Sequence, residues 1–177
     1  DTILDATVAH CWRMMRGPEA PPPRFAVIGY GKLGGKELGY ASDLDLIFVY
    51  DDADERAPEN YARLAQRLNH WLTTRTSSGA LFETDLRLRP SGEAGLLVSS
   101  IEAFAKYQEE SAWVWEHQAL TRARACAGDA QVGAAFQQAM AWGWLPTNVV
   151  RLATPPSVPR ISRKIPTPEV VAAWAAA

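Results

Sequence analysis

Three aspartates in this chain could act together: Asp43, Asp45 and Asp85. Asp43 and Asp45 open the apolar run Leu44–Tyr50, which reads as a buried strand. Residues i and i+2 of a strand project from one face, roughly 6.6 Å apart along it. Aspartate is depleted in strands, and two carboxylates this close repel unless something positive lies between them. A pair of exposed strand-end charges would look the same from these two residues alone. The segment 80–89, "ALFETDLRLR", adds the third acid. Its alternation predicts a strand with Phe82, Thr84, Leu86 and Leu88 on one face and Glu83, Asp85, Arg87 and Arg89 on the other, ended by Pro90. A charged row of that kind is a solvated edge or the wall of a site. Asp85 beside Asp43 and Asp45 completes an oxygen-only ligand set, which suits Mg²⁺ or Mn²⁺. Such ions flanking a phosphoryl group stabilise its attacking and leaving oxygens, and Arg87 and Arg89 would meet phosphate charge.

The stretch before the acids offers a rival reading. Gly29-Tyr30-Gly31-Lys32-Leu33-Gly34 fits G-x-G-x-x-G after the strand-like run Phe25–Ile28, the outline of a dinucleotide fingerprint. That fingerprint needs a helix crossing back to a parallel strand, a connection of about a dozen residues or more. Only the eight residues Gly35–Ser42 separate Gly34 from Asp43, and they include Gly35 and Gly39, which are poor helix formers. There is room for one helical turn, so the nicotinamide reading is set aside for a compact loop. Backbone N–H groups of the Gly31–Gly35 loop, Gly34 and Gly35 included, can face an anion. Lys32 and Lys36 could reach a triphosphate or be solvated loop lysines, Ser42 can donate to a phosphate or cap the turn, and Glu37 can buttress the loop or be a surface charge. Tyr40 is a nucleotide-contact candidate. His70 is expected on the polar side of its helix, His117 beside the tryptophans, and Trp113 and Trp115 in the core.

These residues need elements to position them. Helices are expected at 3–16 and 58–75, the second burying Tyr61, Leu64, Ala65, Leu68, Trp71 and Leu72. Ser99-x-x-Glu102 reads as a capping box opening a helix at 101–110, with a tryptophan-rich helix at about 111–126. Pro21-Pro22-Pro23 is a stiff spacer. The organisation is a leading helix and spacer (1–24), a main domain (25–138) and a proline-rich tail (139–177) with a short helix at 168–177. The tail is expected to be poorly packed. A net charge of −2 implies no general polyanion-binding field, so no nucleic-acid partner is expected. No apolar run nears the ~20 residues that span a bilayer, and no membrane association is expected. Cys11 and Cys126 lack metal-ligand spacing and read as buried thiols of a reducing, cytoplasmic compartment.

"GKLGGKEL" (31–38), "SDLDL" (42–46), "DLRLRPSGEAGLLVSS" (85–100) and "WVWEHQALTRAR" (113–124) together resemble the nucleotidyltransferase domains of the glutamine synthetase adenylyltransferase family. The resemblance covers residues 25–130. It implies an α+β, polymerase-β-like nucleotidyltransferase fold, a small mixed sheet flanked by helices. It also implies Mg²⁺ and ATP on Asp43, Asp45 and Asp85, with Gly34-Gly35 as the family's glycine turn. The implied activity is transfer of AMP to a tyrosine of glutamine synthetase, with a PII signal protein regulating the full-length enzyme. Gly39-Tyr40 and Trp113–His117 resemble the attaching domain rather than the adenylyl-removing one. The tail does not resemble the family, as a truncated or frame-shifted gene end would not. Alternatives are the removing domain, a nucleotidyltransferase with another acceptor, and an inactive nucleotide-binding fragment.

Overall fold

The computed structural model describes residues 1–77 and 79–141. The expected proline-rich tail from residue 142 on, with its helix at 168–177, lies outside the described residues. The elements in chain order are α1 (Thr2–Arg16), β1 (Phe25–Gly29), α2 (Gly31–Gly34), β2 (Leu44–Tyr50), α3 (Ala57–Thr73), β3 (Arg75–Thr76), β4 (Gly79–Ala80), β5 (Thr84–Asp85), β6 (Val98–Ser100), α4 (Ile101–Glu110), α5 (Val114–Leu120), β7 (Arg124–Gly128) and α6 (Ala130–Ala141). The fold class is the expected one, a small mixed sheet flanked by helices.

β1 and β2 are the centre of that sheet, and their composition says why. Every residue of β1 and all of β2 from Leu46 on are buried. Strands covered on both faces read as continuous apolar runs rather than alternating ones. Phe25, Val27, Leu44, Leu46, Phe48 and Tyr50 face Leu4, Val8 and Trp12 of α1 and Tyr61, Leu64 and Leu68 of α3. Ala26, Ile28, Ile47 and Val49 face Phe104 of α4, Leu120 of α5 and Val132 and Phe136 of α6.

Strand order is β5–β2–β1–β7, with β6 also on β2. β1 runs antiparallel to β2, from Phe25↔Tyr50 to Gly29↔Leu46. A dinucleotide crossover would make them parallel, so the G-x-G-x-x-G match is a coincidence of spacing. The connection is the single turn α2 plus a loop. Since β1 holds one edge of β2, β5 and β6 share the other, β5 parallel at Leu44↔Thr84 and Asp45↔Asp85, β6 parallel at Phe48↔Val98 to Tyr50↔Ser100.

Several expected elements are corrected. The alternation in 80–89 does not make one long strand: β4 pairs with β3, and only Thr84 and Asp85 pair with β2. The chain turns away at once because Asp85 accepts a 2.8 Å bond from the Arg87 amide through Oδ1, a side-chain turn that competes with the ladder. The helix expected at 111–126 ends at Leu120, and Arg124–Gly128 is β7, antiparallel to β1. Its small residues have helix propensity, but the open edge of β1 overrides it. Ser99 pairs with Val49 inside β6 and cannot cap; Ser100 caps instead, accepting from the Ala103 amide at 3.1 Å. Trp71 is 44% exposed rather than core, lying 4.9 Å from the His10 ring. α6 was not expected as a separate element. Among the described residues no helix is long and apolar enough to cross a membrane.

The two faces should be energetically independent supports of the sheet. Leu64→Ala, fully buried under one face, should cost about 2–5 kcal/mol, and Phe136→Ala, buried under the other, about 3–5 kcal/mol. Urea unfolding checks both; a Phe136→Ala variant as stable as wild type would mean that α6 does not support the sheet.

Candidate active site

Asp43, Asp45 and Asp85 meet at the end of β2 where core packing stops. Each offers a carboxylate oxygen, and these lie within 4.8 Å of one another. Alternation sets the geometry. Asp45 shares a face with Ile47 and Val49, which α4 and α6 cover farther along the strand. Asp43 is exposed just before β2, while Asp45 and Asp85 are half-buried. Asp85 arrives by ladder pairing, directly opposite Asp45, and Leu44 N–H donates to Glu83 O at 2.8 Å to fix that register.

The electrostatics are those of a site short of positive charge. Burial, then the charges of Asp43 and Asp85, raise the Asp45 carboxyl above its ordinary range, with Lys32 and Arg87 opposing. Asp85 is lowered, chiefly by hydrogen bonds from the Arg87 side chain. That guanidinium donates to both Asp85 oxygens, with Nε at 3.0 and 2.9 Å. The Arg87 side chain is 71% exposed and Asp85 only 16%, so the arginine lies over the acid from the solvent side. Arg89 is committed elsewhere: its guanidinium donates to the carbonyls of Leu86 (2.6 Å), Glu93 (3.1 Å) and Gly95 (3.4 Å). It holds the loop between β5 and β6, from where its charge still acts on Asp85.

The glycine turn abuts the acids through Gly31, its first residue. Gly31 has φ +52°, and a Cβ there would collide with Asp45 Oδ2. Tyr30 N–H donates to Asp45 O at 2.9 Å, tying the turn to β2. Gly34 is needed for a different reason: a Cβ there would strike the Arg122 carbonyl, whereas one on Gly35 would meet only the far end of the Arg122 side chain. Arg122 Nη2 donates to Glu37 Oε2 at 2.5 Å. Arg124 donates to Leu33 O at 3.0 Å and Gly34 O at 3.2 Å. No local signal marked these two arginines, because their segment reads as helix and their contacts lie 85 to 91 residues away. Lys32 and Lys36 are exposed, and Lys36 sits at φ +59°. Ser42 caps its turn, accepting from Gly39 N–H at 3.1 Å. Tyr40 is fully exposed. Trp113 and Trp115, expected in the core, are 70% and 53% exposed. They flank the start of α5, whose Glu116 and Leu120 face inward instead. His70 is exposed, and His117 Nε2 stands 2.9 Å from Gln108 O.

Two expectations follow. Gly31→Ala forces a side chain into left-handed backbone and against Asp45, which should cost about 1–3 kcal/mol and weaken Mn²⁺ binding; unchanged melting and Mn²⁺ titration would sink the contact. Asp45 has a raised folded pKa, so its protonated form favours folding. That contribution is full below the ordinary carboxylate range and lost as pH rises through the raised value. Without divalent cation, Asp45→Asn should therefore melt above wild type at neutral pH, with the gain vanishing in acid. Asp85 runs the other way: its contribution is present above the ordinary carboxylate range and lost as pH falls through its depressed value. Asp85→Asn should melt below wild type at neutral pH. Melting curves across pH check both signs.

Comparison with known proteins covers both the sheet and the site. A family model described as glutamate-ammonia ligase adenylyltransferase matches residues 1–139. The chain is 63% identical over 137 residues to the bifunctional glutamine synthetase adenylyltransferase/adenylyl-removing enzyme of Chromobacterium violaceum, which is 77% of this chain and 15% of that protein. The Aromatoleum aromaticum protein of the same name is 63% identical over 138 residues, 78% of this chain and 15% of that protein. The Neisseria meningitidis serogroup A one is 56% identical over 138 residues, with the same coverage of 78% and 15%. The chain thus spans about 15% of the length of these curated relatives. A match over residues 1–139, spanning the glycine turn, all three aspartates and both arginines of the "TRAR" segment, makes this chain a member of the glutamate-ammonia ligase adenylyltransferase family.

Proposed function

We propose that this chain carries a Mg²⁺-dependent site that transfers AMP from ATP to a tyrosine hydroxyl of glutamine synthetase. The observation that carries the reading is the convergence of Asp43, Asp45 and Asp85, with ligand oxygens within 4.8 Å of one another. The donor set fits a hard cation: three carboxylates and no nitrogen or sulfur donor in the cluster. The raised Asp45 carboxyl fits it too, because a cation would relieve the repulsion behind part of that shift. The names of the relatives support glutamine synthetase as the protein acted on. A cytoplasmic location and control of the full-length enzyme by a PII-type signal protein belong to the same proposal.

Asp43, Asp45 and Asp85 would hold the metal. Bound Mg²⁺, or Mn²⁺, supplies neutralisation of the triphosphate and polarisation of its α-phosphorus. The chain's own groups do the rest. The tyrosine oxygen attacks the α-phosphorus, the bond to the bridging oxygen breaks, and pyrophosphate leaves. Asp85 takes the hydroxyl proton. To do so it must first lose the Arg87 guanidinium, which now occupies both its oxygens. Arg87 released from Asp85 is then a mobile cation for phosphate charge. Lys32, whose charge already acts on Asp45, adds to the same field.

The direction of transfer rests on Gly39-Tyr40 and Trp113–His117, which resemble the attaching domain. Incubation of the chain with unmodified glutamine synthetase, Mg²⁺ and α-labelled ATP should label a synthetase tyrosine. Asp43→Asn should abolish labelling, and Asp85→Asn should slow it about 10²–10⁴-fold. Release of ADP from adenylylated synthetase and phosphate, without forward labelling, would reverse the assignment; neither reaction would overturn it.

A further inference from the structure

The geometry points to Arg122 and Arg124 as positioning residues that clamp the glycine turn against Asp45 and so set its affinity for Mg²⁺-bound ATP. This rests on the reading of the acid triad as the site of that substrate. The turn has two ends. Its first residue, Gly31, lies against Asp45 Oδ2. At its other end are the carbonyls of Leu33 and Gly34; Leu33 O already accepts from Lys36 N–H at 3.2 Å, while Gly34 O is one of the helix-end acceptors that need a partner from outside the turn. Arg124, whose side chain is only 21% exposed, donates to both of them. A four-residue helix has too few internal bonds to hold its own shape, so its orientation must come from outside.

Arg122 supplies the second hold. Its backbone carbonyl packs where a Gly34 side chain would be, and its guanidinium where a Gly35 side chain would be. From there Nη2 reaches Glu37 Oε2 at 2.5 Å. Glu37 N–H in turn donates to Lys32 O at 2.8 Å, so the ion pair fastens the residues following the turn to the turn itself. An exposed ion pair contributes little to global stability: Arg122 and Glu37 are 46% and 65% exposed. Its effect falls on the local arrangement of the turn. That arrangement is what a triphosphate would meet, whereas Asp45 and Asp85 are held opposite each other by the pairing of β2 with β5. A clamp of this kind moves nucleotide affinity and leaves metal affinity alone.

The test uses the 177-residue chain and two titrations, Mn²⁺ alone and ATP with Mg²⁺, with melting as a control. Arg122→Ala should weaken ATP binding about tenfold while Mn²⁺ affinity stays within about twofold of wild type. Arg122→Lys should recover part of the loss, since it keeps the charge on Glu37 but not the planar contact with Gly35. Glu37→Gln tests the clamp from an exposed residue whose loss does not threaten folding, and should weaken ATP binding severalfold. Arg124→Gln should act in the same direction as Arg122→Ala. Unchanged ATP affinity in Arg122→Ala and Glu37→Gln would overturn the clamp. So would a parallel loss of Mn²⁺ affinity, ATP affinity and melting temperature, which would mean general support of the fold. Asp45→Asn separates the two readings. If it abolishes ATP binding while Arg122→Ala does not affect it, only the clamp fails. If wild type binds no ATP, the underlying reading fails and takes the clamp with it.

Discussion

Everything in the site depends on β2 being paired along both edges and covered on both faces. Burial of both faces removes freedom of register, because a one-residue slip would exchange the residues facing α1 and α3 for those facing α4 and α6. Antiparallel β1 then fixes β2 in position, and parallel β5 attaches at its first two residues only. With that register Asp85 has one place to go, beside Asp45. A slip in β5 would put Thr84 or Leu86 there and leave two acids instead of three.

The acids are positioned at a cost to the fold that the fold does not remove. Asp45 is half-buried among like charges, and its raised carboxyl records the repulsion. The chain answers only in part. Arg87 neutralises Asp85 from the solvent side, and Lys32 acts on Asp45 from the glycine turn. Local conflict of this kind, in an otherwise consistent sheet, is what a binding site imposes on a fold. Arg87 holds both oxygens of Asp85, so one of the three acids is already paired while Asp45, among the described residues, is not.

The glycine turn carries a different lesson. A G-x-G-x-x-G reading credits its glycines to a cofactor's phosphates. Here Gly31 is required by its left-handed backbone against Asp45, and Gly34 by the Arg122 carbonyl. The glycines are demanded first by protein atoms, and the Gly34 and Gly35 amides, expected to face an anion, donate within the turn to Tyr30 O at 2.8 Å and Gly31 O at 3.0 Å.

What the sequence determined by itself is local. The continuous apolar runs of β1 and β2, the periodic face of α3 and the short Gly35–Ser42 connection sufficed for two buried strands, a flanking helix and a compact loop, and excluded the crossover; the small mixed sheet came with the resemblance. The D-x-D spacing brought Asp43 and Asp45 together because neighbours in sequence cannot separate. The quoted segments, taken jointly, carried the family. What the tertiary structure decided is non-local. β7 formed from a helix-prone segment because β1 had an open edge. The expected strand at 80–89 broke after Asp85 because its own side chain turned the backbone and β6 took the next stretch of β2. Trp113 and Trp115 lie outside because α5 buries Glu116 and Leu120 instead. Arg89 was claimed by loop carbonyls, and Arg122 and Arg124 reached the turn from some 85 to 91 residues away. No propensity or spacing encodes such contacts, since they depend on which edges and faces remain open once the central strands have paired.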